Sequence, residues 1–330
     1  MPNMRRRDFV TLLGGTAAAW PLAARAQQTI PAVGFLHPAS LDTLADRLRA
    51  FRQGLSETGY IEGQNVAVEY RSAEGRFDRL PELAADLVRR KVSVIAAPGS
   101  VAAALAARAA TQTIPITFGV PEDPVRVGLV ASLARPGGNA TGINFLTAEV
   151  IAKRLGLLRE LVPTAARVAV LLNPANVVPA TSTRREIEPA ARLLGLEIQT
   201  YEASTSREID AAYATLVRER PDALFVATDA FFTTRRVQLT ALAARYALPA
   251  TYSIRDFVEA GGLMSYGTHI LEAYRQVGAY AGRVLKGEKP SDMPVVQATK
   301  FELVINLQTA MLLGIDVSPI LLARADEVIE

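Results

Sequence analysis

Two stretches of this chain read as copies of one design, and that duplication limits the possible folds more than any other feature. Val33–Ser40, VGFLHPAS, and Val168–Asn176, VAVLLNPAN, are each a short buried strand running into a proline-containing loop. The likeness continues downstream. Gly54–Tyr70, GLSETGYIEGQNVAVEY, and Ala191–Ala203, ARLLGLEIQTYEA, are each a helix end with glycine leading into a strand. Next come two helices with one apolar spacing, Leu80, Leu83, Ala84, Leu87, Val88 and Ile209, Ala212, Tyr213, Leu216, Val217. Both follow i, i+3, i+4, i+7, i+8, a single apolar face. Val94–Ser100 and Leu224–Ala230 then read as buried parallel strands with their C-terminal loops. A period of roughly 130 residues is too long for a solenoid and points to a duplicated domain. The expected fold is α/β, two doubly wound parallel-sheet lobes joined by a hinge. A cleft is expected where strand C-termini open onto helix N-termini.

The 330 residues suit two such lobes, and with half of them hydrophobic each can bury a core. The first residues stand apart. Arg6-Arg7-Asp8-Phe9-Val10 has a twin-arginine pattern, Thr11–Leu22 is a weakly apolar run, and Ala24-Arg25-Ala26 is an A-x-A cleavage site. Residues 1–26 are therefore expected to be an export signal, leaving a soluble periplasmic chain that begins at Gln27. That leader carries Arg5, Arg6, Arg7 and Arg25 against Asp8, so its removal takes the net charge from +3 to zero. A nucleic-acid partner loses its electrostatic support. With no cysteine, the chain has no disulfide, thiol nucleophile or lipid-modified cysteine. The only tryptophan, Trp20, lies in the leader.

Reading along the chain divides it into 27–145 plus 267–330 as lobe one and 146–266 as lobe two. Ile116–Val120 and Thr141–Asn144 are strands of lobe one, and the first crossing follows Asn144. In lobe two a helix spans Phe231–Tyr246 and a strand Ala250–Tyr252. Leu263–Tyr266 is the second crossing. The long helix Ile270–Lys286 returns to lobe one, where Phe301–Asn306 alternates as a strand and Asn306 caps a short helix ended by Gly314.

Several of these stretches together resemble a known family: GLSETGYIEGQNVAVEYRSAEG, LPELAADLVRRKVSVIAAPGS, EDPVRVGLVASLARPGGNATGIN, VAVLLNPAN, and the C-terminal TKFELVINLQTAMLLGIDVSPILLARADEVIE. From about Ile30 onward the chain resembles the bacterial ABC transporter substrate-binding family that includes tryptophan- and tyrosine-type binding proteins. The resemblance implies a type I periplasmic-binding-protein fold holding one small ligand in the cleft and handing it to a permease. It implies neither tryptophan as that ligand nor any cofactor or metal.

Loops at strand C-termini supply the candidate ligand contacts. Lobe one offers His37, Pro38, Ser40, Gly99, Ser100, Phe118, Gly119 and Asn144; lobe two offers Asn173, Asn176, Thr228, Asp229, Tyr252 and Tyr266. Gly99-Ser100 sits where a strand turns into a helix, so Ser100 either receives a carboxylate at the positive end of the helix dipole or caps its own helix. Asp229, in the mirrored place, either pairs with a ligand ammonium or caps. Asp123, before Pro124, reads as a cap, and His269 as exposed or hinge-associated. No lysine or arginine stands at these strand ends, which favours a small ligand with one carboxylate and an apolar or aromatic body. Sugars fit less well, since the mature chain lacks a stacking tryptophan. Catalytic signatures are absent: there is no G-x-S-x-G around Ser100, no G-x-x-x-x-G-K-[ST] and no H-E-x-x-H. The expectation is a monomeric, non-enzymatic binding protein; the same fold also suits an exported ligand sensor presenting its closed form to a membrane receptor.

Overall fold

Residues 30–145 and 147–330 are described by a computed structural model. The export signal expected over 1–26 lies outside the described residues. The duplication appears as two sheets of matching order. β1 (Ala32–His37), β2 (Ala67–Ser72), β3 (Val94–Pro98), β4 (Ile116–Val120) and β5 (Ala140–Asn144) stand in the order 5-4-3-1-2. β6 (Arg167–Leu172), β7 (Glu197–Glu202), β8 (Ala223–Val226), β9 (Ala250–Tyr252) and β10 (Met264–Thr268) repeat it as 10-9-8-6-7. Within each set of five every neighbouring pair is parallel.

Parallel strands covered on both faces must be apolar throughout, and alternate residues serve opposite faces. In β1, Val33 and Phe35 enter one core while Leu36 enters the other. In β6, Val168, Val170 and Leu172 face one core, and Ala169 and Leu171 face its opposite. The first sheet is covered by α2 (Leu80–Arg89) and α3 (Val101–Ala110) on one face. Its other face carries α1 (Ala45–Glu57) and α10 (Ile270–Leu285). On the second sheet, α4 (Thr147–Leu161) and α5 (Val177–Leu193) lie opposite α6 (Ser206–Glu219), α7 (Ala230–Thr234), α8 (Arg236–Arg245) and α9 (Asp256–Glu259). α1 and α10 approach so closely that a Cβ on Gly54 would fall on the Arg275 carbonyl. Their contact locks the returning helix onto the first sheet. The two halves, Pro31–Glu330, form one compact unit. Among the described residues no helix is long and apolar enough to cross a membrane.

Three expectations need correction. The segment after α10 does not stay with the first sheet. β11 (Val296–Gln297) extends the edge at β5, and the chain then crosses a third time. β12 (Phe301–Asn306) pairs antiparallel with β10 and β13 (Glu327–Ile329) pairs with β12, so α11 (Leu307–Leu312) and α12 (Pro319–Arg324) also belong to the second half. The cause is the open edge of β10: β12 supplies its missing ladder and buries Leu303 and Ile305 in the second core. Met264–Thr268 is accordingly a strand of the second sheet, with the passage back to the first half at 268–270. Phe231–Tyr246 is likewise two helices, because Arg235 leaves helical geometry at φ −103°, ψ 16°.

Candidate functional site

The C-terminal edges of the two sheets face one another across a cavity of about 710 Å³ including its mouth. Its first wall is built by His37 at the end of β1, Arg47 on α1, Gly99 after β3, Pro121 after β4, Phe145 after β5, and Ile270 and Tyr274 on α10. The second wall has Val150, Ile151 and Arg154 on α4, Thr228, Asp229 and Thr233 beyond β8, Ser253 and Ile254 after β9, and Tyr266, Gly267 and Thr268 of β10. Most of this surface is apolar; the polar groups are few and fixed.

Asp229 is the N-cap of α7. Its Oδ1 accepts from the Phe231 and Phe232 amides at 2.8 and 3.2 Å and from the Asn173 side chain at 3.0 Å; Oδ2 accepts from Asn176 at 2.8 Å. Burial raises its carboxyl above the ordinary range, while these four donors favour the ionised form. Every one of these donors is neutral, and among the described residues no cation pairs with this buried carboxyl. Arg154 is its complement in charge. The side chain is 1% exposed, yet among the described residues it meets no carboxylate. Its Nη2 donates to the Val226 carbonyl at 2.9 Å, the guanidinium lies 3.8 Å from the Phe225 ring centroid, and Nε has no partner among the described residues. Burial pushes its pKa down to about 9, which leaves it protonated at neutral pH. A buried charge without a counter-charge is costly, and here a guanidinium and a carboxyl, neither with a charged partner among the described residues, border one cavity.

On the first wall, His37 is buried and neutral, its pKa lowered to about 3 by burial and then by the nearby Arg47. Its Nε2 lies 2.9 Å from the Tyr274 hydroxyl. Arg47 reaches across the cleft to Asp256 at 2.7 Å and so ties α1 of the first half to α9 of the second. Glu122, buried beyond β4, has an unpartnered Oε2; burial, with Asp229 nearby, raises its pKa to about 7.

The strand-end candidates divide. His37, Gly99, Thr228, Asp229 and Tyr266 reach the cavity. Ser100 does not: its Oγ accepts from the Ala103 amide and caps α3, the alternative left open by its position. Asn173 and Asn176 act one step back, as donors to Asp229. Ser40 and Pro38 lie in a separate outer cleft with Arg76 and Arg235. Phe118 and Tyr252 are core residues, the latter stacked on Phe257 at 4.6 Å, because at these strand ends the side chain points into the sheet's own core. Gly119 gives its carbonyl to the Gly99 amide, and the Asn144 amide donates to the Val120 and Glu122 carbonyls, so both hold loops together. Asp123 caps a turn through the Val125 and Arg126 amides, and His269 caps α10. The strand-end search missed Arg47, Arg154 and Tyr274, which come from helices; with two arginines at the cavity, its cation-free character does not hold. One signal was present: Arg154 lies in phase with Ile151, Leu155 and Leu158, a charge on a buried stripe.

Comparison with known proteins agrees with this architecture. A sequence model described as ABC transporter substrate binding protein matches residues 32–329. A tyrosine-binding protein of Clostridioides difficile is 30% identical over 261 residues, 79% of this chain and 74% of the relative. An ABC domain from Streptococcus pneumoniae, solved in complex with L-Trp, is 25% identical with a TM-score of 0.81, covering 91% of this chain and 99% of that one. The leucine-binding protein LivK of Thermotoga maritima shares the type I periplasmic-binding-protein fold at 14% identity and a TM-score of 0.57, over 78% of this chain and 81% of that one. The chain belongs to the ABC transporter substrate-binding protein family.

Proposed function

We propose that this protein captures an α-amino acid with an apolar or aromatic side chain in the cavity between its sheets and delivers it to the permease of an ABC importer. The observation that carries the reading is the pair of buried groups of opposite charge type, Arg154 and Asp229, each without a charged partner among the described residues and both bordering one cavity. A zwitterion supplies both counter-charges at once, its carboxylate to Arg154 and its ammonium to Asp229. The apolar wall of Phe145, Val150, Ile151, Ile254 and Ile270 takes the side chain. The relatives that bind tyrosine and L-Trp support this class. The two halves act as lobes hinged at the segments that pass between them, with Arg47–Asp256 closing over the ligand. The twin-arginine pattern and A-x-A site support export to the periplasm.

A simple aromatic or apolar acid is the second reading, favoured by the four donors that already satisfy Asp229. Matched titrations of L-phenylalanine and 3-phenylpropionate decide between them. Tighter binding of L-phenylalanine supports the amino-acid reading, tighter 3-phenylpropionate supports the simple acid, and failure of every amino acid and aromatic acid in a wider screen sinks both.

A further inference from the structure

His37 and Tyr274 form a buried polar pair that neither the fold nor the opposite charges account for. The Nδ1 of His37 accepts the Ala39 amide hydrogen at 3.0 Å. A neutral imidazole carries one proton, which must then sit on Nε2. Nε2 faces the Tyr274 Oη at 2.9 Å, so the ring donates and the hydroxyl accepts. The hydroxyl's own hydrogen is left with the Pro98 carbonyl at 3.4 Å, well beyond the ~2.8 Å of a good O–H···O bond. A buried donor so poorly satisfied gains by meeting a better acceptor. Tyr274 lines the cavity, where such an acceptor can enter, and Gly99, at φ +80°, makes room for the hydroxyl itself, since a Cβ there would strike it. Arg47, 5.9 Å from the Tyr274 ring centroid, adds positive potential that favours a negatively polarised oxygen.

Building on the amino-acid reading, we propose that Tyr274 is the first lobe's ligand-binding group, donating its hydroxyl hydrogen to a ligand oxygen, and that His37 is the positioning residue that keeps this hydrogen free. Arg154 from the second half and Tyr274 from the first then grip one ligand from opposite walls, which couples occupancy to closure.

Two measurements test this. In 15N-labelled ligand-free protein, ring NMR of His37 should show the neutral Nε2–H tautomer from pH 5 to 8. A proton on Nδ1 overturns the proposal whether or not any ligand is known. In calorimetry with L-tryptophan as probe, Tyr274→Phe should stay folded, though less stable because the His37 Nε2–H loses its acceptor, and should bind at least tenfold more weakly. His37→Phe should weaken binding too, but should add nothing in the Tyr274→Phe background. Wild-type affinity in folded Tyr274→Phe, or additive losses in the double variant, refutes the arrangement. If wild type binds neither L-tryptophan nor L-phenylalanine, the amino-acid reading fails, and the tautomer measurement still decides the His37–Tyr274 geometry on its own.

Discussion

Replacing Arg154 with methionine separates a ligand-binding cation from a structural one, because the two roles give opposite signs in two assays. The free protein would lose one charged hydrogen bond to the Val226 carbonyl and the contact over the Phe225 ring, about 1 to 2 kcal/mol each. It would gain relief from burying an unpaired guanidinium, a penalty of several kcal/mol even after relaxation. Methionine fills most of the same apolar volume, so the balance is neutral or stabilising. With ligand the sign reverses. Truncating one member of a buried, hydrogen-bonded charge pair costs roughly 2 to 4 kcal/mol, a 30- to 1000-fold loss of affinity. Denaturant unfolding of the free protein and calorimetry with L-phenylalanine should therefore show Arg154→Met as stable as wild type or more so, yet nearly unable to bind. A variant that is destabilised while retaining affinity would refute the reasoning, since Arg154 would then serve only the fold.

Asp229→Asn should weaken L-phenylalanine at least tenfold and leave 3-phenylpropionate nearly unchanged, read by paired titrations; equal losses would show that the residue only caps α7. Glu122 keeps in the folded state a proton that the unfolded chain has released, so wild-type stability should fall as pH rises from about 4.5 through about 7, by at most about 3 kcal/mol. Glu122→Gln should flatten that slope in chemical denaturation, and an unaltered slope would assign the proton elsewhere. Asp256→Asn removes the cross-cleft partner of Arg47, so small-angle scattering of the free variant should give a larger radius of gyration than wild type, with saturating L-phenylalanine reversing part of the increase. No expansion would mean that the ion pair does not hold the cleft shut.

The duplicated halves were legible in the sequence because the central strands β3 and β8 are unbroken apolar runs and helices α2 and α6 keep one 3.6-residue stripe, signals that survive without tertiary context. The placement of Phe301–Asn306 was not. Its alternation marks a strand with one buried face but says nothing about which sheet's open edge it completes. The site was half legible for a similar reason. Strand-end loops located His37, Gly99, Thr228, Asp229 and Tyr266, whereas the direction of a side chain at a strand end depends on the pleat, which sent Phe118 and Tyr252 into the core. Arg47, Arg154 and Tyr274 project from helices whose facing partner only the folded chain reveals.

The central claim is that the cavity between the sheets holds a zwitterion by its two charged ends. The most direct measurement is anomalous diffraction from crystals grown with 4-bromo-L-phenylalanine, in which the bromine marks the side chain. The account predicts bromine against the apolar wall of Phe145, Val150, Ile254 and Ile270, with the carboxylate on Arg154 and the ammonium facing Asp229. Bromine in the outer cleft beside Ser40 and Arg235, or a bound ligand that leaves Arg154 without a partner, would contradict it.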